Sequence, residues 1–416
     1  MKYTAQRGTR DILPSEIGVW HAIEKSARRT FELFDYKEIR TPIFEQTDLF
    51  SRSIGSSTDI VSKEMYTFLD RKGRSLTLRP EETAPVVRAA IEHGLIVKEN
   101  VVKLYYLGPM FRYERPQAGR QRQFHQAGVE AFGSADPMLD VEVISLAGQL
   151  FDRLGLKELE IDVNSVGCAA CRPGYIEKLK DYFKQNLNNM CDDCRKRFEA
   201  NPLRILDCKE AVCQKYIEKA PSTGDSLCPE CRDHFERVIK GLELSGIKYR
   251  VNHRLVRGLD YYTRTTFEVI SRQLGAQNAV CGGGRYDTLV EELGGGPTPA
   301  IGFAIGLERL VEIVKNVLPS GEKGIELFVA ALGDEAKKIA FQIVSKARKA
   351  GVSADLDYAG RGLKAQMKAA DRAGAGNALI IGDNEIKNGR YLLKDMKTAA
   401  QKEVTETELI ALFSLL

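Results

Sequence analysis

Arginine stands inside otherwise apolar, strand-like stretches at Arg112 in GPMFRYER and Arg257 in LVRGLDYY. It recurs at Arg120 and Arg122 in the loop after the first stretch, and at Arg309 in GLERL. A guanidinium among apolar neighbours is costly unless an anion meets it, either a protein carboxylate or a ligand phosphate. The plain structural alternative is a buried ion pair, Arg112 with Glu114 or Glu130. One such arginine would be read that way. Several on converging segments that also carry glycine read better as a cradle for a polyphosphate. No GxxxxGK[ST] loop occurs, and CGGGRYD lacks the strand–helix setting of a dinucleotide fingerprint; it reads as a tight turn that lets backbone approach backbone or ligand.

Cysteine supplies the second chemistry. Eight of the nine cysteines fall between Cys168 and Cys231, and the ninth, Cys281, stands alone in the glycine run. Cys168-x2-Cys171 and Cys191-x2-Cys194 are 19 residues apart, within the range of a four-thiolate zinc site. Cys228-x2-Cys231 is a third such step, and Cys208-x4-Cys213 a looser fourth pair. Eight thiolates could make two structural zinc sites, or one with spare thiols, or simply small buried side chains in a helical insert.

The elements that must position these residues are legible. Apolar spacing predicts a helix over 17–35, then an extended segment to Pro42. Met65–Leu69 and Ser75–Leu78 read as a hairpin turning around Gly73, and Glu82–His93 as a helix with Pro85 in its first turn. VVKLYYLGPMFRYE and FHQAGVEAFG are two strands joined by the basic loop RPQAGRQRQ, followed by a helix over Met138–Leu154. The cysteine-rich stretch is helical over Pro173–Leu187 and Asp233–Leu244; YTRTTFEVIS is a strand, and AIGFAIGLERLVEIVKNV a strand feeding a buried helix. Hairpins in place of regular βαβ units point to α+β with an antiparallel sheet. LPSGEKG (318–324) is a linker, and beyond it strand IELFVAAL, helix Glu335–Ala350, strand Ala354–Tyr358, helix Gly362–Ala373 and strand ALIIG make a small α/β domain.

The 416 residues suggest two or three domains. With 43% apolar residues and 61 Lys plus Arg against 57 Asp plus Glu, the composition argues against wholesale disorder, and the net charge of +4 neither demands nor excludes a polyanionic partner. No apolar run reaches the length of a membrane span, and the first residues carry no apolar core of a signal peptide, so a soluble cytoplasmic protein is expected.

Over essentially its full length the sequence resembles a histidyl-tRNA synthetase, a class II aminoacyl-tRNA synthetase of bacterial type. The resemblance is carried by RGTRDILP, by RTPIFE as motif 1 with Pro42, by FRYERPQAGRQRQFHQAGVE as motif 2, by LVRGLDYYTRTTFEV and GGRYD, and by AIGFAIGLERL as motif 3. It implies a catalytic domain over 1–324 with a Cys-rich helical insertion at 168–240, an anticodon-binding domain over 325–416, and a homodimer. It implies ATP with Mg²⁺, L-histidine and tRNA(His) as ligands. Arg112 would contact the α-phosphate and the amino-acid carboxylate, Arg120 and Arg309 the outer phosphates, Glu114 the adenine end, and Phe124 would stack on the base. Arg257 would act on the other side of the α-phosphate. Glu81, Thr83 and Gln126 would receive the α-ammonium group, Glu130 and Tyr262 the imidazole nitrogens, with Tyr261 and Tyr286 lining the pocket. Arg115, Gln117 and Arg122, beside Arg120, would meet the tRNA acceptor end. His125 stays a structural strand residue, since a substrate carboxylate needs no base.

In the C-terminal domain Lys337, Lys338, Lys346, Arg348, Lys349, Arg361 and Lys364 are candidates for RNA contact, though such a helix is commonly a solvated face. Enzymes of this family do not generally require zinc, so the resemblance lends the cysteines no support beyond placing the insert near the acceptor arm. The rival readings are a regulatory paralogue of histidine biosynthesis, which would lack the arginines and the C-terminal domain, and a zinc-dependent nucleic-acid-binding module, which leaves the arginines unexplained.

Overall fold

The structure, a computed structural model, describes residues 3–55, 58–97, 99–117, 119–274, 278–315, 317 and 324–413. The chain divides into two compact units, residues 1–13 with 19–319 and residues 14–18 with 320–416. Most of the linker read at 318–324 lies outside the described residues.

In the larger unit the strands are β1 (Lys37–Glu38), β2 (Phe44–Gln46), β3 (Tyr66–Leu69), β4 (Ser75–Leu78), β5 (Val102–Phe111), β6 (Gln123–Phe132), β7 (Leu159–Ser165), β8 (Arg250–Val251), β9 (Thr263–Ser271), β10 (Ala279–Arg285) and β11 (Ala300–Gly306). Eight form one sheet in the order β1-β5-β6-β11-β10-β9-β7-β8. Its outermost pairs are parallel and all the inner pairings antiparallel. β2, β4 and β3 make a separate small sheet containing the expected hairpin. Helix Pro14–Leu33 buries Trp20, Ile23, Ala27 and Phe31 at helical spacing.

One expectation fails. CGGGRYD is not a turn: residues 279–285 are β10, paired with β9 and β11 in the middle of the sheet. Glycine is tolerated there because the neighbours leave no room for side chains. A Cβ on Gly283 would strike the Gly302 carbonyl, and one on Gly284 the Thr265 carbonyl.

Arg285 at the end of this strand is fully buried. It donates to Asp140 (2.8 Å), Asp287 (2.9 Å) and the Ser134 carbonyl (2.6 Å), and His234 Nε2 lies 2.8 Å from the other Asp140 oxygen. Replacing Arg285 with methionine leaves Asp140 a buried carboxylate with only His234, an expected loss of about 3–5 kcal/mol. A urea midpoint that does not move would contradict this.

The Cys-rich insert forms helices Arg172–Lys184, Asp192–Ala200, Ala211–Ile217 and Pro229–Leu244, linked by short 3₁₀ turns. The last of these packs on helix Pro137–Arg153. One apolar cluster runs from Leu179, Phe183 and Ile205 of the insert into Val256, Tyr261, Tyr262 and Tyr286.

The smaller unit has five strands, β12 (Leu327–Ala331), β13 (Ala354–Leu356), β14 (Asn377–Ile381), β15 (Tyr391–Asp395) and β16 (Gln401–Val404), ordered β13-β12-β14-β15-β16. Alternation along β12 covers both faces. Leu327, Val329 and Ala331 pack with helix Asp334–Lys349, and Phe328 and Ala330 with helix Leu363–Arg372.

Candidate active site

β5 and β6 pair Met110 with Phe124, so the hairpin brings Arg112, just past β5, beside Phe124 at the start of β6. The Arg112 guanidinium lies 5.2 Å from the Phe124 ring centre, donates to the Pro80 carbonyl (2.8 Å) and stands 3.7 Å from Glu114. Arg120 reaches the same carboxylate at 3.2 Å. Arg309, on helix Leu307–Val314 directly after β11, donates to the Ala279 carbonyl (2.6 Å). Arg257 leaves the loop before β9, pairs with Glu268 of that strand, and lies across Gly282 of β10, where any Cβ would collide with its guanidinium. Burial opposes the charge on Arg257, but Glu268, Tyr262 and Asp207 together outweigh it and the pKa rises.

These four arginines line one cavity of about 170 Å³ with Glu114, Phe124, Gln126 and Glu308. Glu308 is already committed: it receives the His125 backbone N–H (2.9 Å) and faces His125 Nδ1 (3.0 Å), holding that ring in β6. The cations therefore outnumber their partners. Burial and then Arg120 depress the pKa of Arg309, the mark of a field that favours an incoming anion.

A second cavity of about 90 Å³ is lined by Glu81, Thr83, Tyr106, Glu130, Tyr261, Tyr262 and Tyr286, and shares Gln126, Arg257, Gly282 and Ala304 with the first. Glu130 is buried on β6 opposite Gly302 of β11, the only residue type that leaves its carboxyl room. Thr83 Oγ1 donates to it at 2.7 Å and the Tyr286 hydroxyl donates to its other oxygen. Burial outweighs both bonds and pushes the Glu130 carboxyl up to about 8. The Tyr261 and Tyr262 rings pack tilted at 53° to one another with centres 4.8 Å apart. Glu81 accepts the Thr83 and Ala84 N–H groups (2.8 and 2.9 Å) at the start of helix Thr83–Glu92. Gln126 Oε1 and Tyr106 Oη are buried with no hydrogen-bond partner among the described residues, which marks them as places for a polar ligand.

A model of the histidyl-tRNA synthetase family matches residues 8–182 and 184–310, and an anticodon-binding-domain model matches 326–414. The histidine–tRNA ligase of Pelotomaculum thermopropionicum is 54% identical over 407 residues, covering 97% of this chain and 96% of its own. That of Acetivibrio thermocellus is 52% identical over 410 residues, 98% of each chain. The crystal structure of apo Staphylococcus aureus histidyl-tRNA synthetase superposes with a TM-score of 0.83 at 39% identity, covering 99% of this chain and 100% of that one. The chain belongs to the histidyl-tRNA synthetase family. The expectations of a class II synthetase fold and of histidine charging are borne out by these relatives.

Around this family core, the arginine-bearing loop splits its residues. Arg115 and Gln117 are exposed, and the Gln117 backbone bridges that of Arg120. Arg122 is half-buried: its guanidinium lies 3.8 Å from the ring centre of exposed Tyr113, and its backbone N–H donates to the Gly8 carbonyl (2.6 Å). In the C-terminal unit Lys338, Lys346, Arg348 and Arg361 pair with Glu335, Glu406, Asp355 and Asp357, so these bases are largely neutralised.

The cysteines assemble differently from the spacing that suggested Cys168 and Cys171 with Cys191 and Cys194. Cys168, Cys171, Cys228 and Cys231 form one cluster, and Cys191, Cys194, Cys208 and Cys213 another, each able to hold a metal ion. Helix Arg172–Lys184 carries the chain away from the first pair before the second begins, and helix Pro229–Leu244 returns the last pair to it.

Sequence reasoning missed Glu268, Glu308 and Arg79. Arg79 pairs with Glu82 (2.9 Å) and donates to the Pro109 and Thr41 carbonyls, tying β5 to the segment before β2. The signal for Glu268 was present, a carboxylate between apolar residues of a strand pattern.

Proposed function

We propose that the chain is a histidine–tRNA ligase that converts L-histidine and ATP to histidyl-adenylate and pyrophosphate, then passes histidine to the 3′ end of tRNA(His). The observation that carries this reading is the wall common to the two cavities. A cation-rich space suited to a triphosphate opens onto a tyrosine-lined space with a buried carboxyl, and Arg257 stands in both.

In this reading the ionised histidine carboxylate attacks the α-phosphorus in line, and Arg112 and Arg257 take up the developing charge from two sides. Arg120 and Arg309 hold the outer phosphates of the leaving pyrophosphate; Phe124 stacks on adenine and Glu114 faces its edge. Glu81, Thr83 and Gln126 accept the α-ammonium group. Glu130, protonated near neutrality, can donate or accept at one imidazole nitrogen, Tyr262 meets the other, and Tyr261 and Tyr286 close the walls. A terminal ribose hydroxyl of the tRNA then attacks the adenylate carbonyl and AMP leaves.

Mg²⁺ enters as part of the substrate MgATP. Its ligands are mainly the phosphate oxygens of the nucleotide. Structural Zn²⁺ belongs to the insert. The catalytic domain runs over 1–324, the insert over 168–240 and the anticodon-binding domain over 325–416. Arg115, Gln117 and Arg122 face the acceptor end, where a cleft of about 460 Å³ continues past Arg120 to Arg197 and Arg204 of the insert. The working form is a cytoplasmic homodimer; exposed Ile43 and Phe44 of motif 1, with Phe68 and Leu69 of β3, supply an apolar face for the partner subunit. No helix among the described residues is long and apolar enough to cross a membrane.

Charging of unfractionated tRNA with labelled histidine tests the proposal, with label expected on tRNA(His) alone. Folded, ATP-binding protein that charges no tRNA would favour the regulatory paralogue.

A further inference from the structure

The two cysteine clusters are nested in sequence, Cys191, Cys194, Cys208 and Cys213 lying inside the span of Cys168, Cys171, Cys228 and Cys231. In each, all four sulfurs lie within 4.8 Å of one another. Cys168 is 3.8 Å from both Cys171 and Cys228, and Cys191 is 3.8 Å from Cys208. A disulfide would need about 2.05 Å. Four sulfurs placed tetrahedrally around one Zn²⁺ at about 2.3 Å stand about 3.8 Å apart. Backbone N–H groups also aim at the sulfurs: Cys168 N at Cys171 (3.2 Å), Cys194 N at Cys191 (3.4 Å), Cys191 N at Cys213 (3.3 Å) and Glu210 N at Cys208 (3.4 Å). Such donors stabilise thiolates and orient them toward a metal. Thiols that merely filled a core would scatter as Cys281 does, alone in β10. Spacing this close fits a single tetrahedral ion and not a polynuclear iron–sulfur cluster.

Both clusters are anchored to the loop that carries Arg257, Tyr261 and Tyr262. Arg172, the residue after Cys171, donates to the Tyr262 carbonyl. Arg204, between Cys194 and Cys208, donates to the Gly258 carbonyl at 2.8 Å, and Asn201 donates to Asp260 at 2.9 Å. Arg197 and Arg204 also face Asp59 at 3.3 and 3.7 Å.

We infer that the insert holds two Zn²⁺ ions, an outer one on Cys168, Cys171, Cys228 and Cys231 and an inner one on Cys191, Cys194, Cys208 and Cys213, and that together they position the Val256–Tyr262 loop. Neither ion takes part in the chemistry. The positioning half of the inference rests on the role proposed above for Arg257 and Tyr262; the metal half does not.

Elemental analysis of the full chain, purified without chelator and freed of loose metal, is expected to find two zinc per chain, with X-ray absorption showing four sulfurs at about 2.3 Å around each. Cys168→Ser and Cys191→Ser should each retain one zinc. If either fails to fold, titrating the wild type with an organomercurial should release two zinc as eight thiols react. Zinc-free protein, one zinc per chain, bound iron, or disulfides in unreduced protein would each overturn the assignment.

For positioning, Arg204→Ala should keep both zincs yet lower kcat of histidine-dependent ATP–pyrophosphate exchange about tenfold. Arg172→Ala should raise the KM for histidine by about the same factor. If neither constant moves, the positioning role is refuted. Two zincs in a protein with no histidine-dependent exchange would sink the proposed function and leave the metal sites standing.

Discussion

Replacing Arg257 with alanine is expected to lower kcat for histidyl-adenylate formation about 10²–10³-fold. The guanidinium lies in the wall between the two cavities, held over Gly282 and paired with Glu268. It is therefore fixed before substrate arrives and needs no reorganisation when charge develops on the α-phosphate. Lysine should recover little, because a point charge cannot keep both Glu268 and a phosphate oxygen in one plane. Gly282→Ala should reproduce much of the loss with the arginine still present, since the added methyl occupies the space where the guanidinium lies. ATP–pyrophosphate exchange gives the rates, and unchanged thermal unfolding separates them from misfolding. An Arg257→Ala enzyme with wild-type kcat would remove Arg257 from the mechanism.

Glu130→Gln is expected to reduce kcat/KM for histidine about 10²–10⁴-fold. The low end corresponds to one lost charge-capable hydrogen bond, the high end to a donor–acceptor match on which selection of the ring depends. The same substitution should change the pH dependence of stability in a defined direction. Burial raises the Glu130 carboxyl from 4.5 to about 8, so between those values the folded protein binds a proton that the unfolded chain has released. Its contribution to stability is complete below about 4.5 and is lost as pH rises through about 8. Glutamine does not titrate. The variant should gain stability relative to wild type at pH 8–9 compared with pH 5, read from denaturant midpoints. A difference that is flat with pH would mean that Glu130 is ionised in the folded protein.

Much of this architecture was legible because period and turn chemistry agree. The arms of the hairpin at 66–69 and 75–78, the helix at 83–92 and the strands flanking the basic loop all carry strong local patterns. β10 was misread because its glycines satisfy a rule of close packing against Gly302, Thr265 and Arg257 that only the assembled sheet reveals. The arginines announced an anion site through their burden of buried charge. Their partners did not: Glu268 and Glu308 become meaningful only when β9 and the helix after β11 are placed beside them. Cysteine spacing suggested metal, but the partition into nested fours depends on how helices Arg172–Lys184 and Pro229–Leu244 fold back.

On the proposed reading, the two joined cavities bring ATP and histidine, and no other amino acid, into reaction. ATP–pyrophosphate exchange without tRNA, run separately with each amino acid, tests it most directly. Exchange with histidine alone is the predicted result. Exchange driven by a different amino acid would overturn Glu130 and Tyr262 as the residues that select histidine, and none from folded protein that binds ATP would overturn the adenylation chemistry.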